Sequence, residues 1–445
     1  MSCTDAPDHI SKQPTSAILT ACPGCDLLLE ARGVSEGHHL VCSRCGSTVV
    51  KAGNNSVDRV LAFSAAGLFL YFPAMLLPLM TLTSIGMSVS GNVLQTALGF
   101  FQGGYHLVAV MVTLTAVLLP LIKLTITCLT ALHIRLNKRP SWLKNVFRML
   151  LHLDEWGMTE VYLLGILVTL IKVHDMASID YGIGFFCFSA LVLLGVAASA
   201  SIDRELFWKQ IGNHNLASVD LSFPPGGFED EVTARDYGLM RCHDCGYLVG
   251  HTKSTSKEVH CPRCDATVHL RKKHGVQRTW ALVLTSLIFI VPANTLPIMQ
   301  VDFLGIPDRS TILDGIIYFF KEGSYGIGLI IFLASVLVPL FKIIGLVIIL
   351  LTIRSGQDRF LKQKAGMFRF IEFIGRWSML DIFVIALLTV LVDFGFFTSV
   401  HTAPGASFFC MVVVCTMMAA IVFDPRTMWD RCRTETTTSG TYHNE

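Results

Sequence analysis

Eight cysteines stand in four CxxC pairs: Cys22-Pro-Gly-Cys25, Cys42-Ser-Arg-Cys45, Cys242-His-Asp-Cys245 and Cys261-Pro-Arg-Cys264. Two thiolates three positions apart can grip one edge of a tetrahedron. Two such pairs, separated by 16 residues in the first set and 15 in the second, close a four-sulfur site across a hairpin. Four protein ligands leave no open coordination position, so the implied chemistry is structural metal binding rather than metal catalysis. Zinc is the expected ion, one per ribbon, with iron in a rubredoxin-like site as the competitor because the same ligands hold it. A redox disulfide is the other common use of CxxC, but pairs that come in twos at ribbon spacing argue against it. The remaining six cysteines (Cys3, Cys128, Cys187, Cys410, Cys415, Cys432) are scattered. That distribution suits a reducing cytosol better than a secreted disulfide framework.

A second set of residues draws interest because it is charged inside apolar sequence. Lys342 lies 12 residues before Arg354, or roughly 18 Å along a helix, which is near mid-membrane. Lys123 sits at the same depth relative to Arg135. A charge there costs about 2.5–3.5 kcal/mol on insertion scales and is a functional hypothesis by default. Both lysines follow a proline, Pro120 or Pro339, whose missing N–H frees a carbonyl and kinks the helix. Glu160 and Asp381 lie near the cytosolic ends of their helices, within reach of a downward-pointing lysine. One reading is a polar network of Lys342 and Asp381, joined by Ser335 and Thr416, that gates movement or takes up protons. The other is an ion pair that holds two helices in register while the lysines snorkel. Lys172 and Asp175, near the outer end of their helix, fit an interfacial role as well as a mechanistic one.

The elements that carry these residues occur twice. The first CxxC pair recurs after 220 residues and the second after 219. FPAMLLPLM (72–80) returns as VPANTLPIM (291–299), and LTAVLLPLIK (114–123) as LASVLVPLFK (333–342). EWGMTEVYLLGILVTLIKV (155–173) returns as RWSMLDIFVIALLTVLVDF (376–394), and FWKQ (207–210) as MWDR (428–431). Mean hydropathy is +0.56 and only 15% of residues are charged, whereas a soluble protein carries nearer a quarter. Apolar runs predict spans near 58–80, 106–132, 158–173 and 183–201, then 279–300, 325–352, 378–396 and 405–423, each able to cross a hydrocarbon layer of about 30 Å.

The expected fold is therefore all-α and polytopic: two tandem four-helix membrane units, each preceded by a small four-cysteine zinc ribbon. The domains read as a disordered N-terminus (1–20), ribbon 1 (21–52), membrane domain 1 (53–210), a linker (211–240), ribbon 2 (241–270), membrane domain 2 (271–431) and a disordered tail (432–445). An even number of crossings per half gives both halves one orientation, about an axis along the membrane normal. Basic residues crowd 133–155 and 353–376, and residues 81–105 carry no Lys or Arg. The positive-inside rule then places the basic loops, both ribbons and both termini in the cytoplasm. The first residues lack the basic-then-apolar build of a cleaved signal peptide, so the spans themselves are expected to direct insertion. Short interfacial helices are expected within 84–103 and 304–323.

Other chemistry is not written in the chain. A net charge of +2 gives no general reason for nucleic-acid binding, and RKKH at 271–274 reads as a topology anchor before a membrane helix. No P-loop, nucleophile elbow or zinc-protease motif is present, so the chain is not expected to be an enzyme. Trp156, Trp377 and Trp429 read as interface markers, and His106, His133, His152 and His174 as structural.

The duplicated ribbon-plus-helices unit, GRWSMLDIFVIALL (375–388), PANTLPIM (292–299) and FDPRTMWDR (423–431) resemble the paraquat-inducible protein A family over nearly the whole chain. The resemblance implies a multi-pass protein of the bacterial inner membrane beside a periplasm-spanning partner built from MCE domains. The pair would move phospholipid between membranes and support envelope integrity. It further implies that the half holding Lys342 and Asp381 loads or unloads lipid at the mouth of the partner's tunnel. The first half departs from the pattern, with Glu160 for Asp381 and Gly157 for Ser378, which favours a duplicated scaffold with one active half. The competing functions are a non-transporting anchor for the MCE partner and a thiol-based membrane redox protein.

Overall fold

The computed structural model describes residues 18–31, 38–51, 56–84, 87–154, 156–173, 178–212, 232–250, 259–303, 306–321, 323, 325–355, 360–392 and 398–430. Residues 1–17 of the proposed disordered N-terminus, the proposed disordered tail, most of the linker, and Asp175 lie outside these residues, whereas Ile18, Leu19 and Thr20, expected as the end of that N-terminus, begin a strand.

Ribbon 1 consists of two small hairpins, β1 (Ile18–Ala21) with β2 (Leu28–Ala31) and β3 (His39–Val41) with β4 (Thr48–Lys51). Helix α1 (Ser56–Leu76) leads to the strands β5 (Met80–Ser84) and β6 (Met87–Gly91). Short helices α2 (Val93–Gln102) and α3 (His106–Val112) follow. Asn92 caps α2 by accepting from the Gln95 N–H at 2.7 Å, while Gln95 accepts from the Asn92 N–H, which satisfies two otherwise orphaned donors. A π-helical segment, Thr113–Leu118, joins α3 to α4 (Leu119–Arg135). Then come α5 (Trp142–Leu153), α6 (Thr159–Val173), β7 (Ser178–Tyr181), α7 (Ile183–Ser201) and α8 (Arg204–Ile211).

Ribbon 2 repeats the hairpins as β8 (Leu239–Arg241) with β9 (Leu248–Gly250) and β10 (Val259–His260) with β11 (Thr267–Val268). Next are α9 (Gly275–Thr295), β12 (Met299–Phe303), β13 (Ile306–Ser310), α10 (Ile312–Lys321) and α11 (Tyr325–Phe332). A second π segment, Leu333–Leu337, runs into α12 (Val338–Ser355). The chain ends in α13 (Leu361–Gly375), α14 (Leu380–Leu391), β14 (Thr398–Thr402), α15 (Pro404–Val422) and α16 (Thr427–Asp430).

Among the described residues, seven helical stretches are long and apolar enough to cross a membrane: 56–76, 106–135, 183–201, 275–295, 328–355, 361–391 and 404–422. The span expected at 158–173 is the shorter apolar helix α6. The span expected at 378–396 is α14, reached from α13 through a 3-10 turn at Arg376–Met379. The molecule is mostly helical but departs from an all-α expectation in one respect. β5 pairs with both β6 and β7, and β12 with both β13 and β14, giving two three-stranded antiparallel sheets of the same topology. Short segments such as TLTS and QVDF alternate side chains with period 2, and the long apolar helices beside them mask that signal.

The halves pack unequally. Leu388 of α14 and Val392 at its C-terminal cap are 4% and 6% exposed, whereas Leu167 and Ile171 at the matching positions of α6 are 41% and 54% exposed. α2 closes over α14, where a side chain added at Gly99 would begin 3.3 Å from Val390. Tyr318 occupies the position of Gly99 in α10 and is too large for the same approach.

Candidate metal centres and a buried lysine

In each ribbon the two CxxC knuckles face one another. Cys22 Sγ lies 3.4 Å from Cys45 Sγ and Cys25 Sγ 3.5 Å from Cys42 Sγ. The second ribbon gives 3.5 Å for Cys242 with Cys264 and 3.4 Å for Cys245 with Cys261. All four sulfurs of a set fall within 4.8 Å of one another, and all eight cysteines are buried. Metal–thiolate bonds of about 2.3 Å would set tetrahedral edges only slightly longer than these contacts. A disulfide would need about 2.05 Å. The donor sets therefore fit one four-coordinate metal ion each.

The ribbons are held against the helices by arginines. Arg369 of α13 donates to the Cys45 carbonyl at 2.7 Å and to Ser47 Oγ at 2.8 Å. Arg148 of α5 donates to the Cys264 carbonyl and pairs with Asp244 at 3.2 Å. Trp208 of α8 donates to the Asp244 carbonyl at 3.2 Å. The Arg44 guanidinium lies 4.6 Å from the centre of the Trp429 ring, so Trp429, expected as an interface marker, is instead buried under ribbon 1.

A charged cluster lies where the ribbons meet the last membrane helix. Asp26 of ribbon 1 pairs with Arg271 at 3.1 Å and with Arg426 at 3.8 Å. Arg271 also holds Asp430, at 2.5 and 2.7 Å, and Arg426 holds Asp424 at 3.0 Å. Burial opposes the charge on Arg271, but the Asp430 and Asp26 carboxylates outweigh it and hold the guanidinium above its usual range. Burial likewise opposes the Asp424 charge, and Arg426 outweighs it, so that carboxyl stays below its usual range. Burial and then the Arg426 charge push His243 down to about 4. A neutral imidazole can accept the Arg426 N–H at 2.6 Å. In sequence Arg271 reads as a topology anchor; its carboxylate partners are too far along the chain to be seen from spacing.

In the helices, Lys342 of α12 is fully buried, and its amine stands 3.4 Å from Ser378 Oγ. Asp381 opens α14 in the turn after Ser378. Ser335 lies in the π segment about two turns before Lys342 and is buried, its hydroxyl without a hydrogen-bond partner among the described residues. Thr416 is buried in α15 and donates to the Val413 carbonyl at 3.0 Å. The π segments have a local cause. Pro120 and Pro339 cannot donate to the carbonyl four residues back, and the helix widens immediately before each.

The first half is built differently. Lys123 pairs with Asp154 at 2.6 Å, rather than with Glu160, which is exposed at the start of α6. Burial opposes the Asp154 charge, and Lys123 outweighs it, so the carboxyl sits below its usual range. Lys172 lies in the last turn of α6. Sequence reasoning missed Asp154 and passed over Ser378 as a partner. The signal was available in the duplicated blocks, where Asp154 faces Gly375 and Gly157 faces Ser378. A side chain at Gly375 would begin 4.0 Å from Lys342 Nζ, and one at Gly157 would begin 3.8 Å from Lys123 Nζ. Each lysine thus sees the same two positions, and the polar partner has changed places between them.

The family model described as Paraquat-inducible protein A matches residues 57–212 and 276–433. The chain is 33% identical over 413 residues to "Intermembrane transport protein PqiA" of Escherichia coli (strain K12), covering 92% of this chain and 95% of that protein. It is 31% identical over 409 residues to "Lipophilic envelope-spanning tunnel protein A" of the same organism, covering 92% and 90%. With the "Probable intermembrane transport protein" of Haemophilus influenzae it shares 26% identity over 419 residues, covering 92% and 95%. No solved structure matches the chain.

Proposed function

The chain belongs to the paraquat-inducible protein A family, and from that premise we propose that it is the inner-membrane component of an intermembrane lipid-transport system. It loads or unloads phospholipid at a periplasm-spanning partner built from MCE domains and so supports the integrity of the envelope. The names of its relatives support the transport class; the MCE partner rests on the family resemblance. The basic loops support an orientation with ribbons and termini in the cytoplasm, and the buried thiolate sets support zinc in each ribbon.

The observation that carries a transport role over simple anchoring is Lys342. A lysine fully buried in a membrane-spanning helix and held by a hydroxyl is a costly feature that a static anchor does not need. In this reading Lys342, Ser378, Asp381, Ser335 and Thr416 form the polar network whose rearrangement opens and closes the second half. The first half, with its Lys123–Asp154 ion pair, is the scaffold.

The test is transfer of labelled phospholipid between inner and outer membranes in cells that lack the native system and carry Lys342→Ala or Asp381→Asn. Membrane abundance and capture of the MCE partner are measured alongside. Transfer lost with abundance and partner retained supports the network. Full transfer by both variants favours the anchor.

A further inference from the structure

The contacts at the closing knuckle of each ribbon follow a crossed pattern, while each ribbon also touches the half it precedes: Lys51 of ribbon 1 donates to the Ala200 carbonyl at 3.4 Å, and His243 of ribbon 2 meets Arg426 at 2.6 Å. Ribbon 1 precedes the first half in the chain but is fastened to the second, through Arg369 on α13 and Trp429 on α16. Ribbon 2 precedes the second half but is fastened to the first, through Arg148 on α5 and Trp208 on α8. Matching positions of the duplication make these contacts. Arg148 and Arg369 are equivalent, and each donates to the carbonyl of the fourth cysteine of the ribbon it holds, Cys264 or Cys45. Trp208 and Trp429 are equivalent as well. So are Arg263 and Arg44, which reach back from the last knuckle of each ribbon, to the Glu205 carbonyl at 3.2 Å and to the Trp429 ring. The hydrophobic packing of ribbon 2 has the same crossing, its cysteines sharing a core with Phe147 and Phe207 of the first half, while the ribbon 1 cysteines join a larger core that spans both halves and includes Phe368 and Phe423.

We infer that the two ribbons are crossed, metal-dependent braces, each fixing the membrane half that it does not precede. The inference goes beyond the transport reading and rests, for its metal dependence, on the reading of the cysteine groups as metal sites. The reason for that dependence is local. The carbonyls of Cys45 and Cys264 belong to the knuckles that wrap the ion, so their direction is fixed by coordination and not by a regular sheet or helix. An arginine aimed at such a carbonyl finds its acceptor only while the knuckle is closed. Loss of metal from ribbon 1 then loosens α13 in the half that contains Lys342, and loss from ribbon 2 loosens α5 in the half that contains Lys123. Loading of one ribbon is thereby reported to the opposite half.

The test is hydrogen–deuterium exchange on the purified full chain in nanodiscs, with bound metal measured on the same samples. Cys25→Ser/Cys42→Ser removes the ribbon 1 site, and Cys245→Ser/Cys261→Ser the ribbon 2 site. Arg369→Ala and Arg148→Ala keep all eight ligands and cut only the braces. The expected result is exchange faster by roughly tenfold across 361–375 for the first cysteine variant and Arg369→Ala, with 142–153 unchanged. The second cysteine variant and Arg148→Ala should give the reverse. Faster exchange in the half a ribbon precedes, equal loosening of both helices, or no change with metal gone would each overturn the crossed brace. If a cysteine variant fails to accumulate, the two arginine variants decide the crossing alone. A wild-type chain that purifies without metal contradicts the metal reading, and the arginine variants still decide whether the crossing is right.

Discussion

The amine of Lys342 and the hydroxyl of Ser378 stand 3.4 Å apart in a fully buried site between α12 and the turn that starts α14. In the duplicated position, Lys123 instead meets the Asp154 carboxylate at 2.6 Å. Lys123 and Asp154 are only partly buried, but a charge-assisted bond to a carboxylate still holds an amine more tightly than a neutral hydroxyl does. A hydroxyl binds it less tightly and leaves it able to change partner. In the proposed reading the first-half site is a fastening and the second-half site is adjustable.

Installing the fastening in the second half should stop it. Gly375→Asp places a carboxylate near Lys342, as Asp154 is placed near Lys123. The expected outcome is normal membrane abundance with envelope protection reduced to that of cells lacking the protein, measured by detergent sensitivity. Full protection would show that the adjustability of Lys342 is not used.

The first-half pair should behave as a structural element with a defined pH dependence. Asp154 has a carboxyl below its usual range, so its contribution is present above the unfolded value of about 3.9. It is lost as pH falls through the lower folded value. Asp154→Asn should remove that acid-side loss and lower the melting temperature at pH 7, read by fluorescence in detergent across pH. An acid limb identical to wild type would contradict the assignment.

Much of this arrangement was legible in the sequence, and what was missed has a physical reason. The CxxC spacing and the duplicated blocks are local signals, and they located both thiolate sets and most membrane helices. The lysines were visible because a charge in an apolar run is conspicuous. Their partners were not, because Ser378 and Asp154 are ordinary residues at helix ends whose role depends on which helix packs beside them. Arg148 and Arg369 count as cytoplasmic charge in the sequence, but a charge count cannot say that each points at a cysteine carbonyl. The sheets were hidden because four or five residues of alternation carry little weight next to a long run of continuous hydrophobicity.

Asp424 and Arg426 are both almost completely buried, and breaking one side of such a pair typically costs about 3–5 kcal/mol. Asp424→Asn should therefore lower accumulation in membranes severalfold. An Asp424→Leu/Arg426→Leu double variant, with no charge of the pair left behind, should recover part of the loss on immunoblots. Equal accumulation of Asp424→Asn and wild type would show that other carboxylates of the cluster suffice for Arg426.

Ser335 separates function from stability. Its hydroxyl is buried without a partner among the described residues, a state that costs about 1–3 kcal/mol. Ser335→Ala should leave the melting temperature unchanged or raise it, while lipid transfer falls. A variant that transfers lipid at the wild-type rate would remove Ser335 from the network.

Comparing the two lysine sites in one complementation experiment separates transport from anchoring. Lys342→Met and Ser378→Ala are set against Lys123→Met and Asp154→Leu combined, with abundance and partner capture matched. The second-half variants should fail to restore phospholipid transfer, and the first-half double variant should restore most of it. Failure of the first-half variant alone, or restoration by all of them, would contradict a transport role for the buried Lys342 site.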